Sequence, residues 1–144
     1  MRNERIRIVI ADDEQNICEM LKRLIRFDDL GLELIGMVSN GEDLRNVIVK
    51  EKPDIVITDI HMPVMDGLEL ARILQMEFPE IRVVIISGHR DFEYAQKAIR
   101  YGVVNYLIKP LEPKALDEVL TSLRERILRE QSNLVRRDIE EMLS

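Results

Sequence analysis

The chain has 144 residues, 46% of them apolar and 33% charged, with a formal net charge of −6. That length suits one domain able to bury a proper core, and the composition is that of a soluble globular protein, not of a disordered or low-complexity chain. The acidic balance argues against a free-standing nucleic-acid binder, which meets phosphates with Lys and Arg. The lone Cys18 allows no internal disulfide, and neither a leader-like apolar segment nor a membrane-spanning run is visible.

Two periodicities alternate along the chain. The first strand is predicted at Ile6–Ala11, followed by a helix whose stripe is Ile17, Leu21, Leu24 and Ile25. Leu32–Val38 reads as the second strand; Glu33 and Gly36 interrupt it, which places it at a sheet edge. Leu44, Val47 and Ile48 mark the second helix, and Lys52-Pro53-Asp54 turns the chain into a third strand at Ile55–Thr58. Leu70, Ile73 and Leu74 belong to a third helix, which ends at Phe78-Pro79-Glu80 before a fourth strand at Arg82–Ser87. Phe92, Ala95 and Ile99 form the stripe expected of a fourth helix, with Gly102 as a left-handed cap. Asn105–Ile108 is the fifth strand, and Pro113 opens a fifth helix with the stripe Leu116, Leu120, Leu123 and Ile127.

Four of the five strand candidates contain near-continuous apolar runs, as strands of a parallel sheet covered on both faces do. Five alternating βα units imply a doubly wound α/β fold with right-handed crossovers, and the expected strand order is the flavodoxin-like 2-1-3-4-5. Residues 5–127 suffice for that fold. Residues 128–144 carry a second apolar stripe, Leu128, Val135, Ile139 and Met142, rotated from the first. Two readings stand for them: a frayed amphipathic tail, or a helical extension that pairs with another chain or leads into a further domain.

Chemistry collects at the strand ends. The first strand runs into Asp12-Asp13-Glu14, the third into Asp59, the fourth into Ser87 and the fifth into Lys109. In a parallel sheet these carboxyl ends share one edge, where open α/β sheets place their sites. Carboxylates at close range repel and raise the pKa of at least one of them. A hard divalent cation relieves that repulsion, and oxygen ligands suit magnesium, which keeps waters and takes phosphate oxygens. Lys109 offers a point charge to a phosphoryl group and Ser87 a hydroxyl donor. A carboxylate can itself be the nucleophile, giving an aspartyl phosphate.

Asp12-Asp13, Asp59, Ser87 and Lys109-Pro110 resemble the motif set of bacterial two-component response-regulator receivers, and the stretch from Asp59 to Gly67 is very similar to that family's phosphoacceptor loop. The resemblance covers about residues 5–127 and implies the (βα)5 flavodoxin-like receiver fold. It implies that Asp59 accepts a phosphoryl group from a sensor histidine kinase. Magnesium would be held by Asp13, by Asp12 directly or through water, by Asp59 and by the His61 carbonyl. Lys109 would bind the phosphoryl group, Ser87 would turn inward to it, Tyr106 would be the aromatic switch, and Lys109-Pro110 would be cis. The run Ser87-Gly88-His89-Arg90-Asp91-Phe92-Glu93-Tyr94-Ala95, with Ala98 to Gly102, looks like the receivers attached to AraC-type (YesN-like) DNA-binding domains. From this follow a cytoplasmic location, DNA contact only through an effector domain absent from this sequence, and a homodimer. The dimer would use the fourth helix, fifth strand and fifth helix, or the extended last helix. Such a domain catalyses its own phosphorylation and dephosphorylation without being an enzyme in the usual sense.

Several residues also have plainer readings. Ser87 alone would be a turn former, Tyr106 could simply be core, and Glu14 reads as first-turn helix charge. Asp66-Gly67 reads as a helix start and Cys18 as inert packing. His61 and His89 without cysteine partners make a poor zinc site; the His61 side chain is expected near the site, facing solvent. A haloacid-dehalogenase-like phosphatase would carry a second aspartate where His61 stands. A flavodoxin-type binder would need a hydroxyl- and glycine-rich loop in place of Asp12-Asp13-Glu14. A phosphorylation-independent pseudo-receiver would have lost part of the acidic set, which here is complete.

Overall fold

The computed structural model describes residues 5–63, 65–88 and 92–143, with Phe92 described through its backbone only. Five strands, β1 (Ile6–Ala11), β2 (Leu32–Val38), β3 (Ile55–Asp59), β4 (Arg82–Ser87) and β5 (Asn105–Ile108), form one parallel sheet in the order β2-β1-β3-β4-β5. The expected order and boundaries hold, with β3 one residue longer than the apolar run. Alternation along the strands sorts their side chains between two cores. Ile8 and Ile10 of β1, Ile55 and Ile57 of β3, and Val84 and Ile86 of β4 face one layer, formed by α1 (Gln15–Leu24), α2 (Phe27–Leu30) and α6 (Pro113–Leu143). Val9, Val56, Val83 and Ile85 face the other, formed by α3 (Gly41–Glu51), α4 (Gly67–Glu77) and α5 (Phe92–Arg100).

Burial follows strand position. Every residue of β3 is buried, as its apolar run requires at the centre of a doubly covered sheet. β2 is mostly half-buried and lies at one edge, and its register against β1 shifts between Ile8 and Val9. β5 closes the other edge, with all four residues half-buried.

The helices start and stop where local chemistry says they should. Asn40 caps α3 by accepting the Asp43 N–H at 2.8 Å, and Asp66 caps α4 by accepting the Glu69 N–H at 2.8 Å. Gly102 takes the left-handed conformation expected after α5, with φ 77°.

Three features depart from the sequence pattern. The short α2 was not expected; its four residues lie between two apolar segments and carry no stripe long enough to read. Among the described side chains of α5 the buried one is Ala98, while Ile99, assigned to the inner stripe, is 75% exposed. Two sets in this helix share three-to-four spacing, and Tyr94, Ala98 and Tyr101 pack toward the core because the small Ala98 lets the backbone approach the sheet. The inward placement expected of the Phe92 side chain, and the residue His89, fall outside the described residues. Finally, α6 is helical through Leu143, so residues 128–143 continue the helix beyond its buried stripe.

Gly67 is held against the end of β3. Its N–H donates to the Ile60 carbonyl at 2.8 Å, and a Cβ at this position would overlap the Asp59 carbonyl oxygen. Backbone atoms cannot yield as a flexible side chain would. Gly67→Ala should therefore lower the unfolding free energy by about 1–3 kcal/mol, seen as a lower urea midpoint at unchanged slope.

Candidate functional site

The sheet topology brings together the residues that the sequence scatters. β1, β3, β4 and β5 are adjacent and parallel through β3, so Asp12, Asp59, Ser87 and Lys109 emerge on one edge. The Lys109 N–H donates to the Ser87 carbonyl at 2.7 Å, which ties the last two strand ends, and the Lys109-Pro110 peptide is cis, as expected.

Asp12 and Asp59 are 2% and 8% exposed, whereas Asp13 is exposed. The Asp12 carboxylate accepts the Glu14 N–H at 2.9 Å and the Lys109 ammonium at 3.1 Å. The Asp59 carboxylate accepts its neighbour Ile60 N–H at 2.8 Å and stands 3.7 Å from the Lys109 ammonium. Thr58, fully buried beneath, donates to the Asp59 carbonyl at 3.0 Å. One oxygen from each of Asp12, Asp13 and Asp59 lies within 4.8 Å of the others. Such an all-oxygen set, partly buried and open on one side, fits a hard divalent cation that keeps some of its waters.

Burial and neighbouring charge act together on these groups. Burial, and then the Asp12 charge, push the Asp59 carboxyl above its ordinary pKa, against the opposing pull of Lys109 and the Ile60 N–H. Burial works to lower the Lys109 pKa, but the hydrogen bond and charge of Asp12, with Asp59 and Glu14, outweigh it and raise the value. Cys18, buried behind Asp12, has its thiol pKa raised by burial and suits the inert packing role expected.

Above the carboxylates opens a cleft of about 250 Å³ lined by Asp13, Glu14, Asp59, His61, Gly88 and Lys109. Its floor is acidic and its wall carries one ammonium, an arrangement able to hold a cation and a phosphoryl group side by side. Ser87 is fully buried at the end of β4, and Tyr106 is half-buried on β5, paired in register with Ile85. The exposed His61 ring lines the cleft as expected and meets Tyr94 of α5 edge-on, with centroids 5.3 Å apart.

Some of the site was not evident from the sequence. Glu14, read only as helix charge, lines the cleft, and its N–H orients Asp12. Gly41, at the start of α3, packs so closely on the Met65 carbonyl that a Cβ would overlap it, which closes the loop after β3 against a neighbouring helix. A glycine at a helix start is the only signal the sequence offers for that contact.

The raised Asp59 pKa has a consequence for stability. Its folded-state value lies above its unfolded one, so its contribution is full below the ordinary carboxylate pKa and is lost as pH rises through the folded value. Asp59→Asn should therefore raise the melting temperature of chelator-treated protein at pH 7, with the gain shrinking as pH falls toward about 4. A melting series from acid to neutral pH reads this directly.

A family model described as "Response regulator receiver domain" matches residues 8–121. The chain is 39% identical over 122 residues to the uncharacterized transcriptional regulatory protein YesN of Bacillus subtilis, covering 82% of this chain and 33% of YesN. It is 34% identical over 126 residues to the transcriptional regulatory protein HptR of Staphylococcus aureus, covering 88% of this chain and 49% of HptR. It thus spans about a third to a half of the length of these curated relatives. Among solved structures, the REC domain of AraT, a response regulator from Geobacillus stearothermophilus, matches with a TM-score of 0.81 at 34% identity, covering 87% of this chain and 97% of that one.

Proposed function

The chain belongs to the response regulator receiver family, and from that premise we propose that it takes a phosphoryl group on Asp59 from a sensor histidine kinase and passes the change to a DNA-binding output region. Receivers of this family are signalling domains, so the reading is of a switch that catalyses its own phosphorylation and dephosphorylation. What carries it is the buried Asp59 carboxylate on the floor of an open cleft, grouped with those of Asp12 and Asp13 and 3.7 Å from the Lys109 ammonium. Residues 5–127 are the proposed receiver and residues 128–144 an extension toward the output region. A cytoplasmic location goes with the proposed kinase reaction, and the free, buried Cys18 fits it.

In the proposed reaction a carboxylate oxygen of Asp59 forms a bond to phosphorus as the phosphorus–nitrogen bond of a phosphohistidine breaks. The electron pair leaves with the imidazole, and an acyl phosphate remains on Asp59. Asp12, Asp13, Asp59 and the His61 carbonyl are the residues proposed to hold magnesium. When bound, the ion neutralises charge on the transferring oxygens. The pKa of Asp59 is raised first by burial and then by the Asp12 charge, and a cation held there would offset both. Lys109 trades its contact with Asp12 for the phosphoryl oxygens. Ser87 donates its hydroxyl to the same group, and Tyr106 follows into the space this vacates.

β4 and β5 would then carry the shift to the face made by α5, β5 and α6. A second copy is the partner proposed for that face or for the extended α6. This is a population shift, effective only to the extent that the phosphoryl group favours one arrangement.

Intact-mass analysis after incubation with a small acyl phosphate and magnesium tests the reading. Wild type should gain one phosphoryl group; Asp59→Asn and chelator-treated wild type should gain none. A folded wild type that never shifts would make the chain a phosphorylation-independent interaction module, and a shift surviving in Asp59→Asn would move the acceptor elsewhere. Lys109→Ala should still gain some phosphoryl group but lose most of the phosphorylation-induced change in amide exchange along β4, β5 and α5. An unaltered exchange response would remove Lys109 from the switch.

A further inference from the structure

Among the described side chains of α5 only Ala98 is buried, whereas α4 beside it buries Leu68, Leu70, Ala71 and Leu74. Tyr94 and Tyr101 add half-buried rings to the same core. A helix seated on so little apolar surface lies at the low end of local stability, so single contacts at its ends weigh on its position. Two such contacts stand at opposite ends of α5. At its last residue the Arg100 carbonyl accepts the side-chain N–H of Gln75, from α4, at 3.2 Å. Near its start Tyr94 meets the His61 ring with centroids 5.3 Å apart and planes at 81°. That edge-on geometry is one that ring quadrupoles favour.

The backbone beneath His61 is tied on both sides. Its neighbours Ile60 and Met62 are buried, which leaves His61 as the exposed residue between two anchored ones. The Ile60 N–H donates to the Asp59 carboxylate at 2.8 Å, and the Gly67 N–H donates to the Ile60 carbonyl at 2.8 Å. The Thr58 hydroxyl meets the Met62 sulfur at 3.7 Å. The segment that carries His61 is therefore the segment that aims Asp59, and the His61 ring lines the cleft above it. On the other side of the contact Tyr94 lies four residues before Ala98, on the face of α5 that packs toward the sheet. Both rings hang on short side chains with few torsions, so a shift of either ring is a shift of the element beneath it.

We propose that Tyr94 is a positioning residue for the cleft: its ring holds the His61 imidazole at the cleft wall and, by the same contact, ties the seating of α5 to the loop that aims Asp59. Tyr94 acts through His61. The contact lies on a different path from Ser87 and Tyr106, which act through β4 and β5. It rests on the receiver reading only for what the cleft binds. By linkage, whatever occupies the cleft and moves this loop changes the seating of α5, and whatever unseats α5 loosens the loop.

Amide exchange of the unphosphorylated 144-residue chain tests this in Tyr94→Leu, His61→Leu, the double variant and Tyr94→Phe. Leucine keeps an apolar side chain against the core and removes the ring; phenylalanine keeps the ring. Tyr94→Leu should speed exchange in α5 and also across the contact at residues 60–62. His61→Leu should speed it in the same two segments, each by roughly two- to twelvefold, the range for an edge-on pair. The double variant should exchange no faster than either single one, and Tyr94→Phe should match wild type. A tyrosine that merely fills the core would loosen α5 alone when replaced by leucine. That outcome, an α5 indifferent to His61→Leu, or effects that add in the double variant would each overturn the proposal. His61 is exposed, so His61→Leu leaves the core intact and decides the matter by itself should Tyr94→Leu fail to fold. The intact-mass assay stands apart: a wild type that takes no phosphoryl group would sink the receiver reading, while the exchange result would still decide this one.

Discussion

Two carboxylates beneath the surface, those of Asp12 and Asp59, share one ammonium, that of Lys109. Charges taken out of water lose solvation that a single pairing does not fully restore. Here the balance is left short: Lys109 sits closer to Asp12 than to Asp59, and the Asp59 carboxyl keeps a raised pKa. The exposed Asp13 adds a third negative group at the rim. Such a gathering of carboxylates could hold a metal cation. The rest of the domain serves to keep these groups from drifting apart.

The means is a parallel sheet closed on both faces. Apolar side chains on alternate positions of β1, β3 and β4 lock each strand between two helical layers, and a shift by one residue would turn every one of them to the wrong core. The strand ends are thereby fixed relative to one another, and the polar residues that follow inherit that precision. Short local contacts finish the placement. The Glu14 N–H aims Asp12, the Ile60 N–H aims Asp59, and Gly67 lets α4 start against the Asp59 carbonyl.

β4 is tied to other elements at both ends. At the carboxyl end Ser87 is joined through the Lys109 N–H to the chain following β5, while His61 in the loop after β3 touches Tyr94 of α5. At the opposite end Arg82, the first residue of β4, is paired with Glu130 of α6, just past the last buried residue of its inner stripe. The strand that ends at the site therefore begins where α6 leaves the body. Physical continuity of this kind is what a shift at the cleft would need to reach the extension, and it depends on packed elements with discrete arrangements rather than on gradual deformation.

Much of this was legible in the sequence because it rests on local rules. Apolar runs bounded by turns located all five strands, and the acidic set, Ser87 and Lys109 stood out because each followed a run that did not need it. Asp66 read correctly as a helix start because capping involves only residues three apart. Tertiary structure alone decided three things. Which face of α5 turns inward depended on the fit of Ala98 against the sheet, and periodicity could not choose between two sets with the same spacing. The place of Glu14 in the cleft wall and the contact of Gly41 with Met65 arise between segments far apart in sequence, which no local signal encodes. The continuity of α6 into an exposed helix followed from its inner stripe docking on the sheet, because packing of the first half supplies the nucleus from which the second half propagates.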